Sequence, residues 1–169
     1  MKNTILIISL ISLLFLGLTI KSVLAMEYVQ KDGLFSMDIP QGWHWVEYPE
    51  EIVVAYPDAK TVAIDIQFMP STKMVPGDAQ KILIDNKNKM IKDGINAHGG
   101  VLIADKETSL DGAYTRQLDF NPAPGSAVHA IYLALFSSGH VFTITYGSDK
   151  KDDILMMQRS VGTFKINKS

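Results

Sequence analysis

Val128-His129-Ala130-Ile131-Tyr132-Leu133-Ala134-Leu135-Phe136 is the stretch that decides the architecture. Successive side chains of a strand point to opposite faces. Ile131, Leu133 and Leu135 therefore share one face, and Ala130, Tyr132 and Phe136 share the other. A strand apolar on both faces belongs in the middle of a sheet that is covered on both sides. Ser138-Gly139 turns it into a second strand over 140–146. Upstream, Asp111-Gly112 is a tight-turn signal between strands over 101–108 and 113–120, the latter with Tyr114, Leu118 and Phe120 on one face. A proline-rich loop over 121–126 joins this hairpin to the central strand.

Towards the N-terminus, short strands follow one another between turn residues. Tyr28-Val29 precedes a turn at Lys31-Asp32-Gly33, and Phe35, Met37 and Ile39 alternate with Ser36 and Asp38 until Pro40-Gln41-Gly42. Trp43 to Glu47 and Ile52 to Tyr56 read as two further strands. Val62, Ile64, Ile66 and Phe68 mark the cleanest one, with Asp65 and Gln67 on its polar face. A helix is expected over 79–93, capped by Asp78 and stopped by Gly94, with Ala79, Ile82, Leu83 and Met90 buried. A second helix follows Ser148 or Asp149 as cap, with Asp152 and Asp153 in its first turn, where negative charge suits the helix dipole. Ile154, Met157, Val161 and Phe164 lie on one face of it, and Phe164-Lys165-Ile166 can leave it as a short edge strand. Helices set among antiparallel strands define an α+β layered domain.

Residues 1–25 form a separate unit. Lys2 precedes an apolar run from Ile5 to Ile20, and Val23-Leu24-Ala25 offers a signal-peptidase site, so cleavage is expected after Ala25. The run is shorter than the ~20 residues a membrane-spanning helix needs. The mature chain, 26–169, is then one exported domain, periplasmic or extracellular, with no stable transmembrane segment. The chain contains no cysteine, which excludes disulfides, thiolate metal sites and a lipidated cysteine anchor. Loss of Lys2 and Lys21 leaves the mature chain at net −4, with its basic residues scattered, so nucleic acid is not an expected partner.

Two stretches carry a family resemblance. Phe35-Ser36-Met37-Asp38-Ile39-Pro40-Gln41-Gly42-Trp43 resembles the opening of PsbP-like domains. Val141-Phe142-Thr143-Ile144-Thr145-Tyr146, then a helix, then Ser160-Val161-Gly162-Thr163-Phe164-Lys165-Ile166, resembles their end. The resemblance implies an antiparallel sheet flanked by helices (an α/β/α sandwich), a fold shared with Mog-type Ran-binding proteins. It also implies a non-enzymatic accessory or binding role, sometimes linked to metal ions or to assembly of a membrane complex.

The residues themselves leave several chemistries to weigh. His44, His98, His129 and His140 show no metal-ligand spacing. His44 sits between Trp43 and Trp45 and reads either as a surface histidine or as part of a ligand or pH-sensing site. Ser126 and Ser148 follow glycines outside any G-x-S-x-G context; a hydrolase would need one of them within reach of a histidine and a carboxylate. Glu47, Glu50 and Glu51, and Asp149, Asp152 and Asp153, are the acidic clusters available to calcium or manganese in a metal-dependent binding protein. Met74, Met90, Met156 and Met157 raise copper, although Met90 and Met157 fall at buried helix positions. No cofactor is expected. The leading expectation is an exported, non-enzymatic accessory or assembly protein that binds another envelope protein. Trp43, Trp45, Tyr48 and Tyr56 are its candidate interaction patch.

Overall fold

The computed structural model of the chain describes residues 25–55, 63–70 and 78–167. Residues 1–24 of the leader, Tyr56, Val62, Met74 and the loop before Asp78 lie outside the described residues. The strands are β1 (Ala25–Val29), β2 (Phe35–Pro40), β3 (His44–Tyr48), β4 (Glu51–Ala55), β5 (Ala63–Pro70), β6 (Val101–Leu110), β7 (Ala113–Asn121), β8 (His129–Ser137), β9 (His140–Ser148) and β10 (Lys165–Ile166). The helices are α1 (Asp78–Lys89) and α2 (Lys151–Gly162).

The α+β layered architecture expected from the sequence is present, with one addition. Seven antiparallel strands form the main sheet in the order β3-β4-β5-β9-β8-β7-β6, while β1-β2-β10 form a small sheet of their own. The small sheet and α2 pack on one face of the main sheet, the inner face. Helix α1 packs on the other, the outer face, over β7 and β8. Strand β8 lies between both layers, and Ala130 to Leu135 are all buried, as its doubly apolar sequence requires.

Phe35 is the meeting point of the inner layer. Its fully buried ring lies 4.9 Å from Phe164, 5.8 Å from Phe68 and 6.0 Å from Phe142. Those rings come from the segment after α2, from β5 and from β9. Ile154, Met157 and Val161 extend the same core along α2, as their spacing predicts.

Backbone satisfaction completes the small sheet. Strand β10 covers only Phe35 and Ser36 of β2. Beyond it, the last turn of α2 takes over: Thr163 Oγ1 accepts the Asp38 N–H at 2.8 Å, and Ser160 Oγ donates to the Asp38 carbonyl. Two side chains thus replace a missing strand, so buried β2 keeps its polar groups paired.

Three local expectations are corrected. α1 does not run to Asp93: after Lys89 the chain widens into a π-turn over Met90–Ile95 and a 3₁₀ turn over Asn96–His98. Gly94 is not the stop. A side chain there would lie 2.5 Å from Met90 Sδ, so glycine lets Met90 fold across the turn. The left-handed stop is Gly99, at φ 68°. Within the expected stripe only Leu83 is fully buried, and Ile95, carried inward by the wider turn, joins it. At α2 neither Ser148 nor Asp149 occupies the cap. Ser148 is the end of β9, and Lys150 is the cap residue, without a side-chain bond.

Phe35→Ala should cost about 3–5 kcal/mol of unfolding free energy by denaturant titration, because it empties the junction of three elements. Ser160→Ala should cost about 1–3 kcal/mol, because it leaves a buried carbonyl unpaired. A loss under about 1 kcal/mol for Phe35→Ala would contradict the assigned core.

Candidate functional site on the open half of the sheet

The outer face of the main sheet is covered unevenly. α1 and the turns after it bury Leu118, Phe120, Ala130, Tyr132 and Ala134. They are held there by charge: Lys87 of α1 binds Asp105 at 2.9 Å, and Arg116 reaches Asp105 at 2.7 Å and Glu107 at 2.6 Å. Partial burial opposes charge on Asp105, but the Lys87 hydrogen bond and the Arg116 and Lys87 charges outweigh it and keep its carboxyl below the ordinary range.

Across β3, β4 and β5 the same face is open. Val46 and Tyr48 of β3 and Met69 of β5 are 47%, 50% and 45% exposed. Register places the side chains in rows. Tyr48, Glu51, Gln67 and Thr143 lie side by side across four strands, and Val46, Asp65, Thr145 and Tyr132 belong to the row beside them.

Glu51 and Asp65 are diagonal neighbours in these rows. Burial, and then the charge of Glu51, push the Asp65 carboxyl up to about 6. Asp65 Oδ2 accepts a bond from Gln67 at 3.3 Å, while buried Oδ1 has no donor. Two ionised carboxylates can only accept, so they share a hydrogen bond only when one holds a proton.

Beside this pair, a groove of about 250 Å³ runs between β5 and the end of α1. Gln67 and Met69 form one wall, Asn86, Lys89, Met90 and Asp93 the other, and Thr143 and Tyr132 the floor. Tyr132 is only 7% exposed, and its hydroxyl has no hydrogen-bond partner among the described residues; burial pushes it up to about 12. The π-turn shapes this wall, since Met90 and Gly94 both line the groove.

The residues singled out from the sequence fall in different places. Trp43 is 5% exposed and belongs to the inner core. Trp45 packs on that core edge-to-face with Tyr28, 5.3 Å away. Tyr48 projects from the opposite, open face, and Tyr56 lies outside the described residues. The described members of the aromatic set are therefore divided between the inner core and the outer face. His44 is exposed on the outer face, as alternation from the two tryptophans predicts. Ser137 pairs with His140, and His129 with Ser148, which keeps the two histidines at opposite ends of their hairpin. Ser126 Oγ accepts the Val128 N–H of its own turn at 3.1 Å. Ser148 Oγ donates to Asp153 at 3.1 Å and accepts the Lys150 N–H. Neither serine bonds a histidine, so the proton relay of a serine hydrolase is not assembled.

Among the described residues no three His, Asp or Glu side chains converge. Glu47 faces inward and accepts the Tyr28 hydroxyl at 2.6 Å, whereas Glu51 faces outward, which divides the first acidic cluster. Asp65, Gln67 and Tyr132 were not among the candidate site residues. Their one legible signal was the polar face of β5, which gains meaning only once Glu51 is set beside it by register.

A seven-stranded antiparallel sheet with a helix on one face, and a helix and a small three-stranded sheet on the other, is the PsbP/Mog-type fold. The chain superposes on cyanobacterial PsbP (CyanoP) from Synechocystis sp. PCC 6803 with a TM-score of 0.62 at 12% identity, over 88% of this chain and 96% of that one. LpqN, involved in cell envelope biogenesis of Mycobacterium tuberculosis, gives 0.56 at 13%, over 85% and 91%. The Ran-binding protein Mog1p of Saccharomyces cerevisiae gives 0.52 at 12%, over 86% and 96%. No protein-family model and no curated protein matches the sequence. The likeness is one of fold.

The carboxylate pair has a measurable signature. A carboxyl whose pKa is higher folded than unfolded holds its proton more tightly in the fold. Its contribution is therefore greatest near pH 4 and is lost as pH rises through about 6. Asp65→Asn should be more stable than the parent by about 1–2 kcal/mol at pH 7, after allowance for solvent screening, and should match it by about pH 4. Urea titrations from pH 4 to 7.5 measure this, and a pH-independent difference would contradict the assignment.

Proposed function

We propose that the chain is an exported, non-enzymatic accessory protein that docks a protein of the cell envelope on the open half of its main sheet. The observation that carries this reading is the outer face of β3–β5. There a rigid sheet presents Val46, Tyr48 and Met69 to solvent beside a groove, while the other half of the same face is sealed by α1. Flat, preordered surfaces with exposed apolar and aromatic residues suit docking, because little is left to order on binding. The N-terminal leader pattern supports export. The fold neighbours include proteins described as Ran-binding and as involved in envelope biogenesis, which supports binding over turnover. Among the described residues no helix is long and apolar enough to cross a membrane.

Photo-crosslinking tests this reading. A benzoylphenylalanine placed at Tyr48 or Met69 and activated in intact cells should yield the same discrete adduct. One placed at Leu155, exposed on α2 in the opposite layer, should not. Adducts of equal yield from all three positions, or from Leu155 alone, would reject it. The protein recovered from the envelope should begin at Met26 by intact mass.

A further inference from the structure

We infer that the open half of the sheet receives a polypeptide bearing a lysine or arginine, whose cationic head sits over Glu51 and Asp65 while a neighbouring side chain enters the groove floored by Tyr132. This rests on the docking role proposed above and adds the chemistry of the partner.

Charge is the first argument. On the outer face of β3, β4, β5 and β9, the acidic or basic charges among the described residues are Glu51 and Asp65, with His44 at the margin. Lys89 and Asp93, one of each sign, stand on the far wall of the groove. A second copy of this chain would set carboxylates against carboxylates, and an anionic bilayer or nucleic acid would meet the same repulsion. A cationic side chain relieves it. It also supplies the hydrogen-bond donors that two ionised carboxylates cannot give each other, and a guanidinium matches carboxylates best.

Tyr132 is the independent argument. Its side chain is more than nine-tenths buried, its hydroxyl has no partner among the described residues, and it lines the groove. That hydroxyl is not sealed in: it opens to the groove, where an incoming group can bond it. Thr143, on the next strand, adds a second hydroxyl to the same floor. Asp65 and Tyr132 are two strands apart in one row, roughly 10 Å, within reach of side chains two or three residues apart on an extended segment.

The test uses the mature protein and three acetylated, amidated peptides: Ala-Leu-Arg-Tyr-Leu-Ala and its twins with Gln or Glu in place of Arg. Amide and carboxyl NMR shifts are followed up to about 10 mM peptide, the range of weak single-segment binding. The arginine peptide should shift β3, β4, β5 and Thr143 and lower the Asp65 titration midpoint. The twins should bind at least about fivefold more weakly. Glu51→Gln with Asp65→Asn should erase that preference without unfolding the protein, since both changes remove repulsion. Tyr132→Phe should weaken all three peptides alike and leave thermal stability unchanged or higher. If the Gln twin binds this face as well as the Arg peptide, the cationic assignment is wrong and the docking surface stands. If the arginine peptide shifts only residues elsewhere, or none, the inference is overturned, and the crosslinks from Tyr48 and Met69 decide the docking role on their own.

Discussion

The contact of Phe35 with Phe68, Phe142 and Phe164 governs how the layers sit. Each ring arrives from a different part of the chain, and their edge-to-face and tilted packing fixes the small sheet against the main one. Aromatic pairs of this kind add about 0.5–1.5 kcal/mol each beyond the burial of their area. The resulting anchor sets the height at which β2 runs. That height brings Asp38 to the last turn of α2, where Ser160 and Thr163 take its backbone groups. Inner-face packing is thus nearly complete, and the outer face can be left half open without loss of the fold.

The contrast between the two halves of the outer face follows from the charges placed there. On the covered half, carboxylates alternate with cations: Asp105 lies between Lys87 and Arg116, and Glu107 also meets Arg116. Each charge has a partner, and the helix is strapped down. On the open half, Glu51 and Asp65 meet no cation among the described residues, and only the Gln67 amide donates to Asp65. Proteins retain such unfavourable arrangements chiefly where a site is held ready at the expense of stability. The groove adds a neutral polar group to the same face, since the Tyr132 side chain lines it.

Much of the fold was legible because it is local. The doubly apolar β8, the Asp111-Gly112 turn and the α2 stripe all follow from side-chain periodicity and turn chemistry within about a dozen residues. Elements depending on distant partners were less so. That β2 leaves the main sheet is decided by Lys165, Ile166, Ser160 and Thr163, more than a hundred residues away. The end of α1 was misread at Gly94 because a glycine's role depends on what packs over it, here Met90. The candidate site was legible only in fragments. Tyr48 could be named as an aromatic, and Asp65 as one residue of a polar face. Their assembly needed the β3-β4-β5-β9 register, which no single strand encodes.

The pairing of β10 with β2 has a bearing on how the fold closes. Ser36 meets Lys165, and Phe35 meets Ile166, so β2 pairs one edge with its neighbour β1 and the other with a segment more than 120 residues further along. Contacts so far apart along the chain are slow to form. The local pairs of β1 with β2 and of β3 with β4 and β5 need no such distant partner. Of the strand pairings among the described residues this one closes the longest loop, so it costs the most chain entropy and gains the most from contacts already made on either side.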